Sequence, residues 1–200
     1  MGHERWYVAI PDESRLLARA MADPEFGENL EVPSYLGPQR RGYPRGGPAA
    51  EFRAEVDAMN RAHPGIEDRI YTLDRYYDIL HYLLSEERRR GEFDGADWGT
   101  TAIRGGHPLP EHLRGTQGHP TRSSTPGQVR EVAARLTGLT ADDLRAAYST
   151  AGMQRQGVYK YQADRNDGET WGWIVRYFEG LRSFYAATAA HGEGVLAIVT

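Results

Sequence analysis

Apolar positions along this chain change period several times, and the changes mark out its elements. Trp6-Tyr7-Val8-Ala9-Ile10 is a short aromatic and β-branched run that predicts a strand, and Pro11 ends it because proline cannot donate to a ladder. Asp12 or Ser14 can cap a short helix that follows, with Leu16, Leu17 and Met21 on one face and Asp23-Pro24 as its stop. Glu51 to Arg61 is helix-compatible and weakly amphipathic, and His63-Pro64-Gly65 closes it. The strongest helix is predicted from Thr72, a good N-cap, to about Arg90, with Gly91 as its stop. There Leu73, Tyr76, Tyr77, Ile79, Leu80, Leu83 and Leu84 sweep an apolar arc wide enough to imply burial against more than one neighbour. Thr100 to Arg104 reads as a short strand entering a sharp turn at Gly105-Gly106.

The second half is richer in start and stop signals. Thr125-Pro126-Gly127-Gln128 combines an N-cap threonine, proline in the first helical position and a glutamine placed to close a capping box. Val129, Val132, Ala133 and Leu136 line one face of that helix before Gly138, and Thr140 opens another that carries Leu144, Ala147 and Tyr148. Two capped helices joined so tightly predict an αα-hairpin. Val158 to Tyr161 reads as a strand or extended loop, and Asn166-Asp167-Gly168 as a turn. From Trp171 a long amphipathic helix places Ile174, Tyr177, Phe178, Leu181, Phe184 and Tyr185 on one arc. Val195 to Val199 is apolar without alternation, as in an interior strand covered on both faces.

Composition refines this picture in one respect. Glycine and proline, 23 and 11 of the 200 residues, concentrate in residues 33–48 and 105–127, which are read as long loops on an otherwise ordinary domain spanning 1–200. Net charge is −4, and no run approaches the ~18 apolar residues of a membrane span. With no cysteine, disulfides, thiol nucleophiles and thiolate metal sites are excluded together. The absence of a signal-peptide pattern makes a cytoplasmic protein the expectation. Neither half of the chain carries the positive field that nucleic-acid binding needs, and Arg40, Arg41 and Arg45 interleaved with Tyr35 and Tyr43 are a weak footprint.

Candidate chemistry gathers on the helix read from Thr72. Asp74, Asp78 and His81 form a polar stripe beside the apolar face, and Asp78 and His81 are i,i+3 neighbours, so a carboxylate could orient an imidazole. Arg104 or His107 could complete a pocket. The opposing reading makes Asp74 a helix N-terminal anion and His81 a satisfied border residue. His107, His112 and His119 lack a recognised metal spacing, since Pro108 and Pro110 break any helix that would align them. Gly105-Gly106 lacks the companions of a phosphate loop, and no serine sits in a nucleophile elbow.

The stretch Leu73-Asp74-Arg75-Tyr76-Tyr77-Asp78-Ile79-Leu80-His81-Tyr82-Leu83-Leu84 resembles the signature of the YfbM-like family of bacterial proteins, a group of unknown function. Ala102-Ile103-Arg104-Gly105-Gly106 is similar to a second family segment. The Thr125-Pro126 helix start and the end from Tyr177-Phe178-Glu179-Gly180 to Gly194-Val195-Leu196 follow in the same order. Departures are the start Gly2-His3-Glu4-Arg5, where the family tends to be more apolar, Arg75, where the family has lysine, and the 33–48 segment, which looks like a local elaboration. The resemblance implies a compact three-layer arrangement and supplies no catalytic residue or cofactor.

The sequence therefore predicts a single α/β domain in which a small mixed sheet, holding the N- and C-terminal strands, is flanked by helices. Its leading functional reading is a non-enzymatic interaction module with a protein partner. The alternative is a small hydrolase-type enzyme or small-molecule binder using the patch of Asp74, Asp78, His81, Arg104 and His107. No cofactor, metal, nucleic acid or membrane is called for, and catalytic residues and oligomeric state stay unassigned.

Overall fold

The structure, a computed structural model, describes residues 4–31, 36, 46–93, 96–115, 118–159 and 167–200. Its spine is β1 (Arg5–Ile10), the aromatic run at the start of the chain. It pairs antiparallel with β2 (Ile70–Leu73) on one side and with β5 (Gly194–Val199) on the other. β4 (Arg122–Ser124) continues the sheet beyond β5, and β3 (His107–Pro108) is the far edge, giving the order β2-β1-β5-β4-β3. Proline at an edge strand fits its missing N–H. Every pairing is antiparallel, so the sheet is not mixed. The unbroken apolar run of β5 does mean burial on both faces, but the covering helices come from separate parts of the chain and not from βαβ crossovers.

Side chains alternate along β1, so Arg5, Tyr7 and Ala9 face one way and Trp6, Val8 and Ile10 the other. Beneath Val8, Ile10, Leu196 and Ile198 lie α1 (Arg15–Ala22), α2 (Pro24–Gly27) and α3 (Gly47–Ala62), contributing Leu16, Ala20, Phe26, Phe52 and Val56. Tyr7, Val195 and Ala197 meet the opposite layer, which includes α4 (Tyr77–Leu84), α6 (Trp98–Arg104), α7 (Pro126–Thr137) and α10 (Asp167–Ala190). The result is a three-layer α/β arrangement. Among the described residues no helix is long and apolar enough to cross a membrane.

Local signals hold where the chemistry is local. Ser14 caps α1 by accepting from the Leu17 amide at 3.2 Å. Thr125 and Gln128 close the capping box at the start of α7, and Thr140 and Asp143 close another on α8 (Ala141–Ala147). These two helices follow one another as read but take different neighbours, α7 packing on α10 and α6, α8 on α4.

The helix read from Thr72 to Arg90 is instead a strand, a turn and two helices. Ile70, Tyr71, Thr72 and Leu73 are aromatic, β-branched or apolar, and the ladder with β1 captures them as β2, with Thr72 opposite Trp6. Helix resumes only at Tyr77. At Ser85 the backbone becomes extended (φ −109°, ψ 124°), which ends α4, and the Ser85 hydroxyl then caps α5 (Glu86–Arg90). Gly91, at φ 88°, is the stop.

Thr100 to Arg104 is the end of α6, not a strand, because Asp97 caps that helix through the Thr100 amide at 2.7 Å. Gly99 allows the approach: a Cβ there would stand 2.3 Å from the Leu84 carbonyl oxygen. The stretch 105–127 is only partly loop, since it carries β3 and β4, turns at Gly105 (φ 84°) and opens α7 at Pro126. Most of 33–48, with Tyr35, Arg40, Arg41, Tyr43 and Arg45, lies outside the described residues, but Gly47 and Pro48 begin α3. Val158 and Tyr159 follow α9 (Thr150–Arg155) without forming a strand, while Lys160, Tyr161 and Asn166 are outside the described residues. Asp167 and Gly168 belong to α10, so the final helix starts four residues before Trp171.

A buried ion pair locks the Ile10 end of β1. Arg69 donates from Nε and Nη2 to the two carboxylate oxygens of Glu193 at 2.7 and 2.5 Å, tying the residue before β2 to the residue before β5. Removing Glu193 leaves the largely covered Arg69 guanidinium, among the described residues, with only the Gly65 carbonyl as its partner. Glu193→Ala is expected to lower stability by about 3–5 kcal/mol, measurable by urea denaturation, and a loss under about 1 kcal/mol would class the pair with solvated surface bridges.

Candidate functional site

The chemistry-bearing residues converge at the other end of β1, around a cavity of about 170 Å³. Among the described residues it is lined by Arg5, by Tyr77, Asp78 and His81 of α4, by Arg104 at the end of α6, and by Phe93 and His119 from the flanking loops. Two buried tyrosines hold α6 in place: Tyr7 donates to the Ile103 carbonyl at 2.8 Å and Tyr185 to that of Ala102 at 2.9 Å. Both serve carbonyls of the last helical turn that lack a helical partner.

Asp78 is committed to structure. Arg88 of α5, wholly buried, donates from Nε and Nη2 to the two oxygens of Asp78, each at 2.9 Å, and the Tyr159 amide adds a third bond at 2.8 Å. Burial alone would raise the Asp78 pKa, but these hydrogen bonds and the Arg88 charge outweigh it and hold the carboxyl below its ordinary value. Arg88 also reaches the Gln156 carbonyl at 3.3 Å and lies 4.3 Å from the centroid of the Phe93 ring.

His81 is 2% exposed, and its Nε2 lies 3.1 Å from Thr100 Oγ1. Thr100 Oγ1 is 3.0 Å from Ser85 Oγ, which donates to Asp97 Oδ2 at 2.9 Å. The ionised carboxylate can only accept, so the Ser85 proton points to Asp97 and Thr100 donates to Ser85. The remaining position on Thr100 is an acceptor, which assigns the proton of the His81 ring to Nε2. Nδ1, 3.9 Å from Asp78 Oδ1, is then the acceptor nitrogen. Burial is the largest cause that lowers the His81 pKa, to about 3; Arg104, Arg5 and Arg88 push the same way and Asp78 opposes them.

Arg5 differs from its neighbours. It is 7% exposed, its guanidinium lies 5.2 Å from the centroid of the Tyr77 ring, and its enclosed Nε has no hydrogen-bond partner. Among the described residues no carboxylate is paired with it, because Asp78 is held by Arg88. Burial pulls its pKa below the ordinary arginine value, yet a guanidinium stays protonated in any working range. A second cation, Arg104, is near enough to reinforce that shift, and it donates to the Phe93 carbonyl.

Of the five residues singled out in the sequence, Asp78, His81 and Arg104 meet at the cavity. Asp74 and His107 do not. Asp74 sits in the turn between β2 and α4, where it accepts from the Arg75 amide at 2.7 Å, and His107 is exposed on β3 beside Gln128. Arg5, Tyr77, Arg88 and Phe93 were not singled out, and His119 was weighed only as a metal ligand. His112 is engaged elsewhere, with Nε2 3.0 Å from the Ala20 carbonyl oxygen. Among the described residues no group of three or more histidine, aspartate or glutamate side chains is placed to hold a metal. A larger depression, about 600 Å³ between α4–α5 and α7–α8, carries charges of both signs, and its Arg89 is occupied by the Tyr82 and Leu83 carbonyls.

The His81 shift predicts an acid-sensitive fold. The unfolded ring binds a proton near pH 6.5 and the folded ring only near 3, so between these values the unfolded state holds more protons and stability falls as pH falls. The slope contributed by one such group is about 1.4 kcal/mol per pH unit. Denaturation midpoints at pH 7, 5.5 and 4.5 should drop accordingly, and His81→Asn should remove most of that slope.

Comparison with known proteins places the chain in a group. A family described as "Domain of unknown function (DUF1877)" matches residues 11–198. None of the curated proteins compared matches. Among solved structures, a protein of unknown function from Escherichia coli, YfbM, aligns over 98% of this chain and 99% of its own, with a TM-score of 0.56 at 14% identity, a likeness of fold. The matched segment spans nearly the whole three-layer architecture, and the chain belongs to the DUF1877 family.

Proposed function

We propose that this protein is a non-enzymatic binding module whose ligand is a small oxyanion, a phosphate or carboxylate, seated in the cavity at Arg5. The observation that carries this reading is a buried guanidinium that, among the described residues, has no carboxylate partner at the wall of an open cavity. An unpaired charge withdrawn from water costs several kcal/mol, and an anion entering the cavity offsets that cost. The planar guanidinium fork matches two oxygens of a carboxylate or phosphate. With about 170 Å³ the cavity accepts a group the size of about six waters.

The hydrolase reading has less support from the same geometry. Both oxygens of Asp78 are engaged by Arg88 and Tyr159, so it is poorly placed to orient or activate a nucleophile. His81, with a pKa near 3, is a weak base at neutral pH. Binding asks of these groups only that they hold their places.

The test separates ligand binding from fold maintenance. Thermal shift in phosphate, sulfate and acetate, against sodium chloride of matched ionic strength, should show stabilisation that grows with anion concentration. Arg5→Met replaces an unpaired buried cation with an apolar chain of similar length. It is expected to raise the stability of the anion-free protein by about 1–4 kcal/mol and to abolish the anion response. A variant less stable than the parent, together with no anion response in the parent, would overturn the proposal.

A further inference from the structure

The mouth of the cavity carries an aromatic ring in an unusual setting. Phe93 is 49% exposed, the most exposed large hydrophobic among the described residues. It is nevertheless fixed. The Arg88 guanidinium lies 4.3 Å from its ring centroid, itself immobilised by Asp78, and Arg104 donates to its carbonyl. Exposed phenylalanine on a loop ordinarily costs solvation and gains nothing, whereas here two arginines present the ring at the rim of the cavity that Arg5 also lines. Tyr77 supplies a second ring at the same cavity, with the Arg5 guanidinium 5.2 Å from its centroid, and it stacks on Tyr159 with centroids 5.8 Å apart and planes 26° from parallel.

The cavity volume matters as much as the rings. About 170 Å³ contains an oxyanion head and few further atoms, so the body of any larger ligand must leave through the mouth and pass the Phe93 ring. A flat body would bury the exposed part of that ring, and aromatic pairing adds to area burial. A ring offered edge or face to a fixed partner also loses little conformational freedom on binding, because the partner is already ordered.

We propose that the ligand is an oxyanion carried on a planar ring, with the anionic head on Arg5 and the ring against Phe93. This rests on the reading of the cavity as an anion site and adds the chemistry of the ligand's body. The head is a phosphate or a carboxylate, two groups with the same paired-oxygen geometry.

Isothermal titration of the full chain with two matched pairs of probes tests it: inorganic phosphate against phenyl phosphate, and acetate against benzoate. In at least one pair the ring-bearing probe should bind about tenfold tighter than the bare anion, and the responding pair identifies the head group. Phe93→Ala should remove that advantage while leaving the bare anion's affinity within about twofold. Phe93→Leu, which keeps apolar area without a flat ring, should lose it as well, with the thermal unfolding of both variants confirming the fold. Equal binding of ring-bearing and bare anions by the parent protein overturns the inference while the anion site stands. If no probe of either kind binds, the anion reading falls and takes this inference with it.

Discussion

The bidentate pair between Arg88 and Asp78 is the interaction on which the site depends. It satisfies Asp78, the one carboxylate that the described residues give the cavity wall, anchors the segment after α9 through the Gln156 carbonyl and the Tyr159 amide, and sets the guanidinium that steadies Phe93. Because Asp78 is taken by Arg88, it is not free to neutralise Arg5. Were Arg88 absent, a buried carboxylate would remain beside a buried cation, and the two would have every electrostatic reason to pair and fill the cavity with their own side chains. The unpaired state of Arg5 is therefore a consequence of what Arg88 does ten residues beyond Asp78.

That pair in turn requires the chain to break at Ser85. Ten residues of continuous helix would separate Asp78 from Arg88 by about 15 Å along the axis, far beyond bidentate contact. The extended backbone at Ser85 turns α5 back, and the same hydroxyl caps α5 through the Arg88 amide and donates to Asp97, the cap of α6. Gly99 completes the arrangement by letting α6 come up against the end of α4, where any side chain would strike the Leu84 carbonyl. One serine and one glycine thus set how α4, α5 and α6 meet, and the order of hydrogen bonds from Asp97 through Ser85 and Thr100 sets which nitrogen of His81 bears the proton.

What could be read in the sequence was what is decided within a few residues. Ser14, Thr125, Thr140 and Gly91 act where their types predict, and β1 and β5 are recognisable from composition alone. Thr72 and Leu73, read as the start of a helix, belong to β2 because apolar spacing there suits a helix face as well as a strand, and the deciding partner, β1, lies more than sixty residues away. Asp78 and His81 were legible as an i,i+3 pair since they do share a helix. Asp74 fell out when that helix proved to begin later. Arg88 falls near the end of the helix read from Thr72 to Arg90, and only the break at Ser85 buries it. Arg5 gave a faint signal at most: it keeps the parity of Tyr7 and Ala9, but in a strand buried on both faces parity does not distinguish an inward position from an outward one.

The sheet explains why such a residue can be tolerated. Arg5 stands opposite both Leu73 and Val199, so its backbone is held in the ladder from two sides. At the far end of the same strand the Arg69–Glu193 pair fixes the residues that precede β2 and β5. A one-residue slip would carry Arg5 to the other face and with it Tyr7, whose hydroxyl holds α6, and would set Trp6 and Val8 against the wrong core. The cation cannot escape burial by moving its strand, and its guanidinium lies over the Tyr77 ring. The head can only turn within the cavity, where the neutral ring of His81 adds no further positive charge above its low pKa. A central strand held by long-range pairing therefore keeps a guanidinium buried and, among the described residues, without a carboxylate, a state that a loop of the same sequence would relax by carrying the side chain out to water.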